Sequence, residues 1–279
     1  MIIREYQEGD ELNFLKLDKL IEEHPWNRRN LDNWNWKYKG NNPFGNAKCV
    51  YCYSNDQIIG HFALLPLEYF IDGNLINGSN SIAMMVRQDF QNKGLMKYIG
   101  DKLFELSDNT IDFTYGIPND RSYDLHKKFF YYEDWMKLNF YSCLIEKFNF
   151  KISDTHKSII LENFDKNYED FWKTLIKQNY FIFNKNMNFM NWRYAYRPDH
   201  KYHIFKMTRS DIVKGYYILK IYREKDFLKG HIMDMIFDKS DRETLNEIFI
   251  HSINFFKLKK VNEIFFYSSS VNDLEKVHL

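Results

Sequence analysis

Apolar positions along the chain change period several times, and each change marks an element. Residues 1–6 alternate as a short strand does, and the pattern then turns helical over 10–24 and again over 30–39. Strands are predicted over 48–54, 57–71 and 80–87, with Asp72-Gly73-Asn74 as a hairpin turn. Leu95, Ile99, Leu103 and Leu106 recur at helical spacing and predict a helix over 94–108. An apolar strand over 111–117, a helix over 119–130 and a long aromatic strand from Trp135 to Phe150 follow. A linker is expected near Ser153 to Ser158. Beyond it come helices around 168–176 and 186–195, strands over 201–208, 212–222 and 230–237, a helix over 241–257 and a strand over 261–268. Val271 to Leu279 is expected to be a shortened helix. Strands interleaved with helices predict an α/β sandwich on mixed sheets.

The same order of elements occurs twice. N-W-K-Y at 35–38 matches N-W-R-Y at 191–194, and a proline follows each, Pro43 and Pro198. Gly60 in I-I-G-H-F aligns with Gly215 in V-K-G-Y-Y. I-A-M-M-V from Ile82 aligns with I-M-D-M-I from Ile232, and Tyr115 aligns with Phe266. The register holds at roughly 150 to 156 residues, too long a period for a solenoid, so the chain is a duplicated domain divided near residue 150. The expected domains are 1–150 and 151–279.

Composition narrows the function without naming it. In 279 residues, 44% are hydrophobic and 18% aromatic, ample for a core. With 39 basic and 38 acidic residues the net charge is +1, which supplies no electrostatic footprint for nucleic acid or an anionic membrane. No stretch of the sequence has the roughly 18 to 20 apolar residues needed to span a bilayer, and the N-terminus enters a strand directly, so a cytoplasmic protein is expected. Cys49 and Cys52 form a C-x-x-C, but on a strand positions three apart face opposite sides, and no second pair exists. They are expected to be core thiols, and no metal is expected.

The chemistry concentrates at V-R-Q-D-F-Q-N-K-G-L-M, residues 86–96, a turn between a strand and a helix N-terminus. Such a place offers backbone N–H groups and the positive end of a helix dipole to a phosphate. Gln91-x-x-Gly94-x-Met96 resembles the pyrophosphate-binding signature of the Gcn5-related N-acetyltransferases, the GNAT superfamily, with Met96 where that family prefers Gly or Ala. The segment N-D-R-S-Y-D-L-H-K-K-F-F-Y from Asn119 resembles the family's next motif, with Ser122 at the small position, Leu125 at the apolar one and His126 at the tyrosine position. The resemblance implies two tandem GNAT-like domains, each a mixed, mainly antiparallel sheet flanked by helices. It implies acetyl-coenzyme A as cosubstrate, held by Met84, Met85, Val86, Gln91, Asn92, Lys93, Gly94, Leu95, Met96 and Asn119, with Arg87 beside the phosphate loop.

In enzymes of that family a neutral amine attacks the thioester directly, a backbone N–H stabilises the oxyanion, and a tyrosine protonates the leaving thiolate. Here His126 takes the acid's place, and Tyr123, one turn earlier, is a second candidate. The base has no clear seat, because Ala83, Met84 and Met85 carry no carboxylate; Glu68 is the nearest candidate, with Asp120 and His61 behind it. The second copy has Asp241-Arg242-Glu243-Thr244-Leu245 where the first has its glycine turn, so acidic side chains replace the phosphates and cap the helix. A degenerate second domain is expected, structural or shaping the acceptor site. The expected activity is acetyl transfer to a primary amine, a small molecule such as an amino sugar or else a peptide, with neither nucleic acid nor membrane as partner. Two other readings stay open: a tandem-GNAT aminoacyltransferase using charged tRNA, and a non-catalytic acyl-coenzyme A binder.

Overall fold

The computed structural model describes residues 1–21, 30–40, 42–148 and 155–268. The expected end of the first helix, the tail of the aromatic strand, residues 153 and 154 of the linker and the C-terminal helix over 271–279 lie outside the described residues. In chain order the strands are β1 (Ile2–Glu5), β2 (Lys48–Ser54), β3 (Gln57–Ile71), β4 (Asn74–Val86), β5 (Phe113–Tyr115), β6 (Asn139–Leu144), β7 (His156–Leu161), β8 (Phe181–Phe183), β9 (Tyr202–Arg209), β10 (Ile212–Glu224), β11 (Phe227–Phe237) and β12 (Glu263–Ser268). The α-helices are α1 (Asp10–Ile21), α2 (Leu31–Trp34), α3 (Leu95–Glu105), α4 (Asp120–Phe130), α5 (Lys166–Ile176), α6 (Met187–Met190) and α7 (Arg242–Leu258). They build two compact units. The first is Met1–Glu133 with Asn179–Lys185 and Arg197–Asp199; the second is Asp134–Gln178, Asn186–Tyr196 and the chain from His200 onward.

In the first unit the sheet runs β1-β2-β3-β4-β5, antiparallel throughout except for the parallel pair β4–β5. β8 pairs with Tyr69–Ile71, farther along β3 than the stretch up to Leu64 that β2 covers. On one face α3 lays Leu95, Met96, Ile99 and Leu103 over Val50, Cys52, Ile59, Phe62 and Leu64. On the other, α1 and α2 bring Phe14, Leu17 and Trp34 against Cys49, Tyr51, Ala63 and Met85. Truncating a fully buried residue such as Ile99 to Ala would cost about 2–5 kcal/mol. Cys49 and Cys52 thus sit in opposite cores as free, buried thiols, and burial pushes the Cys49 thiol far up.

The second unit repeats this plan with the order β6-β12-β11-β10-β9-β7, again with one parallel pair, β11–β12. α7 packs Leu245, Ile248, Phe249, Ile253 and Phe256 onto it. The repeated N-W-x-Y has the same local form in both copies. Asn30 and Asn186 accept from the backbone N–H three residues on, four α-helical residues follow, and Asn35–Lys39 and Asn191–Ala195 continue as π-helix. The aligned glycines also do the same work. A Cβ at Gly60 would stand 2.5 Å from Ile99 of α3, and one at Gly215 would stand 3.6 Å from Ile248 of α7 and 2.9 Å from the Ile236 carbonyl.

Several expectations from the sequence are corrected. β4 begins at Asn74 rather than 80, since the hairpin turn leads straight into pairing with β3. β5 is only Phe113–Tyr115, because the chain turns away after Tyr115. The aromatic strand contracts to Asn139–Leu144 and pairs with β12 in the second sheet. β7, an edge strand against β9, begins within the segment expected to be a linker. Asn139–Leu144 and Phe181–Phe183 therefore lie on opposite sides of residue 150 from the sheets they complete.

Candidate active site

The parallel contact between β4 and β5 lasts three residues, Gly78, Ser79 and Asn80 against Phe113, Thr114 and Tyr115. The Ser79 and Thr114 hydroxyls meet there at 2.7 Å. After Asn80, among the described residues, no strand pairs with β4 on that side, so Ser81–Val86 presents an open edge of backbone N–H and C=O groups. Within this stretch the register with β3 slips between His61↔Met85 and Ala63↔Ile82, a β-bulge centred on Ala83. Ala83 holds φ +52°, a left-handed conformation that costs an L-residue about 1 kcal/mol or more, and its carbonyl accepts from His61 Nδ1 at 2.8 Å. Bulges of this kind turn backbone polar groups out of the ladder.

At the far end of the open edge the chain enters the turn 87–94. Arg87 is fixed by Asp89 at 2.7 and 2.9 Å and by Gln57 at 3.0 Å, and the Lys93 ammonium donates to the Asp89 carbonyl at 2.9 Å. Gln91 Nε2 donates to the Val86 carbonyl at 2.9 Å and ties the turn to the strand. Asn92 and Gly94 adopt φ +60° and +73°. Gly94 is the N-cap of α3 and offers its first turn no side-chain acceptor. A Cβ there would meet nothing within 4 Å, so the space before the helix start is open. Leu95 and Met96 both turn into the helix–sheet core, at 6% and 7% exposure, leaving only backbone at the helix entrance. Met84 and Val86 also pack toward the α3 core, while Met85 packs on the opposite face.

α7, at the matching place in the second unit, is built differently. Its N-cap Asp241 accepts from the Thr244 N–H at 3.0 Å, and Arg209 reaches Glu243 at 2.5 Å. The position that is open in α3 is filled by the chain's own carboxylate in α7.

At the other end of the open edge, where β4 and β5 part, stands His126. α4 starts at a capping box in which the Ser122 N–H donates to Asn119 Oδ1 at 3.0 Å and the Asn119 N–H donates to Ser122 Oγ at 3.1 Å. One turn later His126 is 6% exposed, beside Phe62, Phe130 and Tyr132. Its Nδ1 lies 2.7 Å from the Ser122 carbonyl and its Nε2 lies 3.3 Å from Ser81 Oγ. A carbonyl only accepts, so Nδ1 carries a proton, and Nε2 faces the Ser81 hydroxyl, from which it accepts when the ring holds no second proton. Ser81 carried no signal in the sequence, since a serine on a strand is ordinary until its partner is known.

The other candidates are placed elsewhere. Tyr123 lies on the outer side of α4, 39% exposed, where its hydroxyl accepts from Lys127. Glu68 is opposite Asn77 on β3, four residues from Leu64, the partner of Ser81, or about 13 Å along the strand. Its carboxylate accepts from Asn184 Nδ2 at 2.8 Å. Among the described residues no three His, Cys, Asp or Glu side chains converge as a metal site requires, and no helix is long and apolar enough to cross a membrane.

No protein-family model and no curated protein matches the chain. Solved structures do. A GCN5-related N-acetyltransferase from Anabaena variabilis aligns over 97% of this chain at 14% identity and a TM-score of 0.68, and the chain spans 66% of that protein's length. A tandem GNAT protein from the clavulanic acid biosynthesis pathway aligns over 97% of this chain and 91% of its own, at 10% identity and a TM-score of 0.63. A GCN5-related glucosamine N-acetyltransferase region of a fungal multi-domain β-N-acetylglucosaminidase aligns over 99% of this chain and 36% of that one, at 14% identity and a TM-score of 0.65. At such identities the likeness is one of fold: the chain carries the tandem GNAT fold.

Proposed function

We propose that the first unit binds acetyl-coenzyme A along the open edge of β4 and transfers the acetyl group to a primary amine. The observation that carries this reading is the contrast between two equivalent helices. α3 starts on a glycine with its first-turn N–H groups facing open space, and α7 starts on an aspartate that fills the same place. The pyrophosphate lies on the backbone of Asn92 to Met96, with the charge of Lys93 close by. From Val86 to Ser81 the strand spans about 16 Å, roughly the reach of an extended pantetheine arm. The thioester then lies where β4 and β5 part, beside His126, and the backbone at the Ala83 bulge faces its oxygen. His126 is the source of the proton that the thiolate takes up, and Asn119, at the start of α4, lines the arm.

The acceptor is a small amine, and an amino sugar is the first to test, in keeping with the named substrate of one structural neighbour. The near-neutral charge speaks against charged tRNA. Calorimetric titration with acetyl-coenzyme A tests the reading: the expected result is about one site per chain, abolished in Gly94→Glu, whose carboxylate would occupy the phosphate's place. Absence of saturable binding in the parent protein would remove it. Binding without thiol release in the presence of any amine would leave a binding protein in its place.

A further inference from the structure

Among the described residues β4 offers the reaction no carboxylate base. Glu68 is held by Asn184 well away from the place where the strands part, and Tyr123 faces outward. We propose that Ser81 and His126 act as one proton carrier that serves as both base and acid, with Ser81 as the group that touches the substrate. The inference rests on the acetyl-transfer reading above.

Three observations carry it. His126 is 6% exposed, and its Nε2 is directed at Ser81 Oγ, while Ser81 itself is only partly buried on the open edge of β4. The imidazole thus communicates with the opening through that hydroxyl. Its tautomer is set by the Ser122 carbonyl on Nδ1–H, which leaves Nε2 free to accept and also stabilises the imidazolium once formed. Finally, residue 116 is a glycine: a Cβ there would stand 2.6 Å from Ser81 Oγ and 3.4 Å from His126 Nε2, so a side chain at 116 would intrude on the pair.

The proton count closes. As the amine nitrogen forms its bond to the thioester carbon, its proton passes to Ser81 Oγ while the Ser81 proton passes to Nε2, giving an imidazolium and a tetrahedral oxyanion. When the C–S bond breaks, its electron pair goes to sulfur. Ser81 then gives its proton to the thiolate and is reprotonated from Nε2. Amide and free thiol leave, and the pair returns to its starting state with no other base. Tyr132, whose ring lies 4.9 Å from that of His126, is held protonated by burial, which pushes its hydroxyl up to about 12 with Ser81 pulling slightly the other way. From β3 and β4 the described residues that face the imidazole include Phe62 and Ser81.

The test follows release of the coenzyme A thiol from acetyl-coenzyme A by the full chain, with glucosamine and a panel of other primary amines, and with water alone as acceptor. Parent, Ser81→Ala, His126→Ala and the double variant are compared, each first titrated with acetyl-coenzyme A by calorimetry. The expected result is a fall of about 100-fold or more in kcat for each single variant, with acetyl-coenzyme A affinity within about twofold of the parent. The double variant should be no slower than the slower single one, because the two groups act as a unit. The pH dependence of kcat in the parent should be lost in both single variants. Unchanged kcat in Ser81→Ala would overturn the proposal while leaving the acetyltransferase reading intact. A stable acetyl-Ser81 adduct in the mass spectrum would overturn it in favour of covalent transfer. Binding with no thiol release above background for any acceptor would overturn it as well. Absence of binding in the parent would instead be the failure of the reading on which it rests.

Discussion

Two residues at the opening of β4 and β5 are chosen for shape more than for chemistry. Gly116 is the clearer case. Its φ is not in the left-handed region, so Gly116→Ala strains nothing in the backbone and acts only by sending a methyl toward the Ser81–His126 contact. Ser81 can rotate away at little cost, so stability should change by less than about 1 kcal/mol while thiol release falls at least tenfold; the check is thermal unfolding beside kinetics. Ala83 is the converse. At φ +52° a glycine is at home and a β-branched residue is not, so Ala83→Gly should hold or gain up to about 1 kcal/mol, and Ala83→Val should lose about 1–3. Denaturant titration separates them, and equal midpoints would mean that the bulge carries no strain. Neither residue announced itself in the sequence. Ser81, Ala83 and Gly116 are small residues in apolar runs, and their meaning appears only when two strands and a helix meet.

At the scale of elements, periodicity and turn chemistry were informative and pairing was not. The helix of Leu95, Ile99 and Leu103 was legible because these side chains share one stripe, and α4 because an amphipathic pattern follows Asn119. The duplicated N-W-x-Y was legible as a repeat, although its π-helical form was not. β6 was visible as an aromatic strand, but nothing in an alternating pattern tells a strand which sheet will take it, and Tyr141 stacking on Phe266 is a long-range fact. β7 and β8 escaped because one is an edge strand whose exposed positions, Lys157, Ile159 and Ile160, do not alternate with covered ones, and the other is three residues long. The two helix starts were the most telling element-level contrast in the sequence, and they predict opposite responses. Asp241→Ala removes the cap of α7 and should cost about 0.5–2 kcal/mol without touching acetyl-coenzyme A affinity. Gly94→Ala keeps α3 but forces an alanine to φ +73°, so it should weaken acetyl-coenzyme A binding and cost about 1 kcal/mol. If Asp241→Ala weakened coenzyme binding as strongly as Gly94→Ala, the division of labour between the helices would be wrong.

For the whole molecule, the pH dependence of stability divides by region. His231 is packed against Phe265 at 4.1 Å between ring centres, and burial, aided by the charge of Lys220, lowers it from 6.5 to about 4. His203 and His251 are lowered as well, by burial first and then by Lys201 and Lys259 for the one and His156 for the other. All three belong to the second unit. A histidine lowered on folding is neutral in the native state while the unfolded chain already binds a proton. Stability is therefore complete above about pH 6.5 and is lost as the pH falls toward 4. Asp10, in the first unit, loses its contribution in the same direction but at lower pH. Burial works to raise it, but Arg4 at 2.7 Å, Tyr53 and the Gln7 N–H outweigh burial and lower it, so its contribution is present above 3.8 and fades only below that value. Between pH 7 and 4.5 the loss should thus fall on the second unit, on the order of 2 kcal/mol from His231 after solvent screening. Hydrogen exchange read by mass spectrometry resolves the regions: amides of α7, β10 and β11 should lose protection in this window before those of α3 and β3. His231→Phe should flatten the response, since an aromatic ring of similar size keeps the stack on Phe265 and has no proton to take up. A response equally steep in His231→Phe would mean that another group sets the acid sensitivity of that sheet.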